Sequence, residues 1–106
     1  MDEGLELICM QIITNTGSAK SSYMEAIGKA KEGDGEAVRT LMDQGDRFYM
    51  AAHEVHVGLI QQEAAGKKTG FSLILMHAED QMCSTEMAKE MANEFIDLYL
   101  SGRSVK

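Results

Sequence analysis

Apolar residues recur at steps of three and four along almost the whole chain. Leu5, Ile8, Cys9, Ile12, Ile13, Ala19, Tyr23, Ala26, Ile27 and Ala30 form one stripe, the spacing of an amphipathic helix. A first helix is therefore predicted over residues 3–31, with a bend expected where Gly17 and the Ser21-Ser22 pair weaken its middle. The pattern stops at Glu32-Gly33-Asp34-Gly35. Gly33 suits a left-handed helix end, and Asp34 suits the cap of the next helix. A second stripe, from Val38 through Leu41, Gly45, Phe48, Ala52, Val55 and Leu59 to Gln62, predicts a helix over 35–65. Gly66-Lys67-Lys68-Thr69-Gly70 reads as a polar loop. The third helix is predicted over 71–100. Leu73, Met76, Asp80, Cys83, Met87, Met91 and Leu98 share one side of it, and Glu79, Glu86, Lys89, Glu90, Asn93 and Asp97 the other.

Short connections make successive helices antiparallel. The expected architecture is all-α, an up-down-up three-helix bundle, in a single domain over residues 1–106 with a frayed tail from Ser101 to Lys106. Each helix is about 45 Å long. Three such rods leave much apolar surface wet unless copies associate, so self-association is expected.

Composition agrees with helix. There is no proline, aromatic residues make up 6%, and methionine occurs nine times. The formal net charge of −7 argues against nucleic acid, whose phosphates call for a basic surface. No apolar run approaches the roughly 18–20 residues of a membrane span. The acidic start Met1-Asp2-Glu3 is unlike a signal peptide, so a cytoplasmic protein is expected. Cys9 and Cys83 both fall on helical apolar stripes and are read as buried thiols in a reducing compartment.

Candidate chemistry concentrates in "LILMHAEDQMCSTEM", residues 73–87. Asp80 interrupts the apolar stripe, and a lone buried carboxylate is costly unless paired, protonated or bound to a cation. It either meets a lysine or a helix end within one chain, or several copies converge on a symmetry axis with shared protons or a hard divalent ion. His77 lies about 60° from Asp80, at the stripe's edge. It is either a packed histidine with a satisfied ring nitrogen or a nucleophile that accepts and passes on a phosphoryl group. Gln81 and Ser84 follow on the same side and can donate hydrogen bonds to phosphoryl oxygens. Glu79 is expected to face solvent, and Glu79 and Asp80 are expected to repel such a group and so keep the phosphohistidine labile. On the second helix, His53 and His56 are either surface residues or two ligands of a metal site, although their spacing of three is not that of the zinc-protease motif.

Three blocks carry a family resemblance: "QIITNTGSAKSSYMEAIGKAKEGDGEA", "AAHEVHVGLIQQEAAGKKTGFSLILMHAEDQM" and "EMANEFIDLYL". In order and spacing they resemble enzyme IIA of the lactose/cellobiose class of the bacterial sugar phosphotransferase system, over Ile8 to Leu100. The family's motif His-Ala-Gln-Asp-His falls on His77-Ala78-Glu79-Asp80-Gln81. Glu79 thus replaces a glutamine and Gln81 a second histidine, while His56-Val57 stands where the family commonly has Gln-Thr. The resemblance implies a homotrimer in which His77 takes a phosphoryl group from HPr and passes it to a cysteine of the cognate enzyme IIB. It also implies a divalent cation, Mg2+, at Asp80 on the trimer axis. The membrane permease, enzyme IIC, sets the sugar in this family, and a cellobiose or related β-glucoside is expected. Two competing readings are a histidine phosphotransfer domain of two-component signalling and a non-catalytic helical oligomer. The first normally places a lysine and a glycine shortly after its histidine, where this chain has Asp80 and Gln81.

Overall fold

The computed structural model describes residues 3–102. Three helices account for nearly all of them: α1 Glu3–Lys31, α2 Gly35–Ala64 and α3 Leu73–Leu100. They form a rod of 52 × 23 × 21 Å. No helix among the described residues is long and apolar enough to cross a membrane. The expected tail beyond Gly102 lies outside the described residues.

The first break forms as its residues dictate. Gly33 takes a positive φ of 79°, a conformation that costs other residues a Cβ clash. Asp34 accepts from the Ala37 backbone N–H at 3.1 Å and caps α2. α1 runs unbroken through Gly17 and Ser21. The third helix starts two residues later than its apolar pattern suggests. Ser72 is its cap, accepting from the Leu75 N–H at 3.2 Å, and Phe71 is left in the loop.

The hub is α1. Nine of its residues are buried, against four in each of α2 and α3. It packs along both neighbours, whereas α2 and α3 touch only sparsely. α1 and α3 run parallel. At one end Cys9 and Ile12 share a core cluster with Ala52, Leu59, Ala78 and Met82, and at the other Ala19 and Tyr23 pack with Ala92. The halves are joined at Tyr23, which is fully buried and donates its hydroxyl proton to Asp46 Oδ1 at 2.7 Å. Lys89 Nζ meets the same oxygen at 2.9 Å. One residue from each helix thus meets at one carboxylate. Tyr23 lies against the backbone of Gly45, where an added Cβ would meet its ring.

The expected core face of α3 is corrected by the structure. The buried residues are Ala78, Met82, Thr85 and Ala92. Leu73, Met76, Asp80, Cys83, Met87 and Met91 face outward. The reason is the close approach of α1 and α3, which only small side chains permit: Thr85 Oγ1 donates to the Thr16 carbonyl at 3.3 Å. Cys83 is accordingly exposed, contrary to expectation, while Cys9 is buried. Burial, followed by the nearby charge of Glu79, pushes the Cys9 thiol above its ordinary pKa.

Candidate functional site

His77 stands in the second turn of α3, placed there by the Ser72 cap. Ala78 and Met82 turn one side of the helix into the core, which fixes the rotation and leaves the His77 ring exposed. Among the described residues, no side chain hydrogen-bonds this ring or pairs with it. The reading of His77 as a packed, satisfied histidine therefore does not describe it. A free ring nitrogen on a rigid helix is what a phosphoryl acceptor needs.

Around His77 the wheel sorts the neighbours. Gln81 lies about 40° away and one turn on, about 6 Å along the axis. Asp80 lies about 60° away on the other flank and is exposed. Ser84 is two turns on, about 10 Å along the axis, and its Oγ accepts a 2.8 Å hydrogen bond from Lys20 Nζ. Gln81 is therefore better placed than Ser84 to reach a group on His77. The periodic pattern gave no sign of Lys20. Its position beside Thr16 and Tyr23 on the α1 stripe was the available hint, legible only once α3 is known to lie against that edge.

Glu79 projects about 160° from His77. Its Oε2 meets His56 Nε2 at 2.8 Å, across the thin seam between α2 and α3. This turns its charge away from His77 and corrects the expectation that it repels a bound phosphoryl group. The two departures from the family pattern at His56 and Glu79 are thus one paired contact. Farther along the seam, the Tyr49 hydroxyl reaches Glu86 Oε2 at 3.4 Å. Burial first, and the Glu86 charge second, raise the Tyr49 pKa.

The metal readings fare differently. His56 is engaged with Glu79, and His53 stacks on Tyr49 with ring centroids 6.1 Å apart. Among the described residues, no three His, Cys, Asp or Glu side chains group as a cation site. One chain does not supply the oxygen donors that a hard divalent ion takes. Asp80 instead sits on an outward apolar stripe with Met76, Met87 and Met91, a surface of the kind that marks an interaction face.

Comparison with known proteins assigns the class. Residues 7–100 match the family model of the lactose/cellobiose-specific IIA subunit of the phosphotransferase system. The chain belongs to this family, whose members are components of a sugar phosphotransferase. It is 41% identical to the lichenan-specific phosphotransferase enzyme IIA component of Bacillus subtilis, over 93% of this chain and 90% of that protein. It is 37% identical to the N,N'-diacetylchitobiose-specific EIIA component of Escherichia coli, over 92% of this chain and 84% of that protein. The crystal structure of a cellobiose-specific enzyme IIA from Bacillus anthracis superposes with a TM-score of 0.91 at 40% identity, covering 95% of this chain and 93% of that one.

Proposed function

We propose that the protein is a phosphocarrier in which His77 accepts a phosphoryl group from phospho-HPr and passes it to a cysteine of the cognate enzyme IIB. The observation that carries this reading is the exposed, uncommitted His77 ring on a helix whose rotation the core fixes. In the first transfer, a lone pair on a His77 ring nitrogen attacks phosphorus as the P–N bond of the donor phosphohistidine breaks. The far ring nitrogen of His77 gives up its proton, and the departing donor imidazole takes one up. In the second transfer a cysteine thiolate attacks the phosphorus, a P–S bond forms as the P–N bond to His77 breaks, and the departing imidazole regains a proton. The protein's part is positioning and charge placement. Gln81 donates to a phosphoryl oxygen, and Ser84 and Lys20 extend the polar strip beyond it.

The outward apolar stripe on α3 supports self-association, which in this reading is a homotrimer in the cytoplasm. Three Asp80 carboxylates would then converge and supply the oxygen donors for a divalent cation such as Mg2+, which would neutralise their mutual repulsion. The relatives' named sugars are β-linked, which favours a cellobiose-type or related β-glucoside reaching enzyme IIC. The test of phosphotransfer is incubation with phosphoenolpyruvate, enzyme I and HPr, followed by detection of acid-labile phosphate. Label on His77 is expected. No label, or label that survives His77→Gln, refutes the reading. Native mass with and without chelator tests the assembly: a trimer is expected for wild type, and a tighter, chelator-insensitive trimer for Asp80→Leu. A monomer in every case refutes it.

A further inference from the structure

Phe71 and Leu73 are the most exposed large apolar side chains among the described residues, at 84% and 81%. Ser72 between them is committed to capping α3, which splays its neighbours outward. Leu73 lies one turn before His77 and about 40° from it, so a protein that reaches the His77 ring also overlies Leu73. The loop that leads into this pair is held in place. The Lys67 N–H donates to the Gln62 carbonyl at 2.9 Å, and the Thr69 hydroxyl donates to Glu63 at 3.0 Å. Beside it opens a recess of ≈ 520 Å³ with Leu5, Ile8 and Leu59 in its lining.

Charge singles out the same loop. Lys67 and Lys68 are the only adjacent cations in a chain of net charge −7. Among the described residues neither has a carboxylate partner. The turns of α3 around His77 hold Asp80 on its flank and no cation. A phosphoryl group on His77 would add a charge of about −2. An incoming thiolate is then an anion approaching a dianion, and cations on the face it approaches offset that repulsion.

We propose that residues Lys67, Lys68, Phe71 and Leu73 form the docking lip for the thiolate-bearing acceptor protein that takes the phosphoryl group from His77. The acceptor presents an apolar side chain to Phe71 and Leu73, with carboxylates at its rim facing the lysines. The outward α3 stripe that continues from Met76 to Met91 is the surface a second copy would cover; Leu73 stands at the N-terminal end of that stripe, and Phe71 and the lysines precede it in the connecting loop. The proposal rests on His77 being the carrier, and the test separates the two.

Wild type, Lys67→Glu/Lys68→Glu and Phe71→Ala are first charged with phospho-HPr, then mixed with cognate enzyme IIB over a range of salt. Phosphohistidine is expected to form at the wild-type rate in both variants, which also reports that they are folded. Transfer to the enzyme IIB cysteine is expected to slow about tenfold or more in the double lysine variant, with a flatter salt dependence. Phe71→Ala should raise the enzyme IIB concentration needed for half-maximal rate. Unchanged transfer in both variants overturns the proposal, as does an equal slowing of both transfers. A changed native mass for Phe71→Ala also overturns it, because the surface then belongs to another copy. Failure of wild type to form phosphohistidine overturns the His77 reading itself.

Discussion

Alanine at Gly45 tests the packing that joins the three helices. An ideal Cβ there lies 2.5 Å from Tyr23 Cε1, 2.8 Å from Cδ1 and 3.0 Å from Cζ. The ring has little freedom to retreat. It is fully buried, and its hydroxyl is tied to Asp46, the residue next to Gly45. Alanine gains about 1 kcal/mol over glycine in a helix interior. Against this stand about 1–3 kcal/mol of overpacking and about 1.5–3 kcal/mol if the Tyr23–Asp46 bond is broken to make room. With the bond broken the expected result is a net loss of about 1.5–5 kcal/mol. Gly28 provides the control, because a Cβ there meets nothing within 4 Å. Gly28→Ala should gain up to about 1 kcal/mol. Urea unfolding followed by helical circular dichroism, at one fixed protein concentration, measures both. If Gly45→Ala matches or exceeds wild type while Gly28→Ala gains as expected, the ring yields cheaply and the packing argument fails.

Tyr23 also sets an alkaline limit. Burial first, and then the bond to Asp46 and its charge, hold the hydroxyl well above the ordinary tyrosine value. The unfolded chain ionises Tyr23 near pH 10 while the folded chain keeps the proton, so this contribution to stability is complete below pH 10 and is lost as pH rises beyond it. Tyr23→Phe should be less stable at neutral pH, and the gap to wild type should narrow above pH 10 in denaturant titrations; a constant gap refutes the coupling. Glu79→Gln should leave the hydrolysis rate of phosphohistidine at His77 unchanged, because that carboxylate points to His56. Its stability should change by within about 1 kcal/mol, because glutamine can still hydrogen-bond the His56 ring and Glu79 is half exposed. A markedly altered hydrolysis rate would show that Glu79 acts on the phosphoryl group after all.

The sequence disclosed the helices and their first break almost to the residue, because Gly33 and Asp34 act through local backbone geometry. It was less informative about which side of α3 is inside. Periodicity weights side chains by size, and the largest on α3 point outward, while Ala78, Thr85 and Ala92 are buried because they are small enough for α1 to come close. Relations across helices were hidden for a different reason. The Lys20–Ser84 and His56–Glu79 contacts join residues 64 and 23 positions apart. Their pairing depends on how α1 packs along both other helices, which no stripe within one helix announces. His77 was recognisable through family spacing, but its free ring was a matter of helix rotation.

Because α1 is the hub, the order in which the chain is made matters. α2 can close on α1 as soon as both exist, across a turn of a few residues. α3 has to return to α1 over a long loop in sequence, as the Thr85 to Thr16 bond across 69 positions illustrates. Chain synthesis presents helices from the N-terminus onward, and distant contacts carry the larger closure cost. The helix that bears His77 is therefore the last to find its seat, and a nascent chain holds a finished hairpin before it has a reactive residue in place.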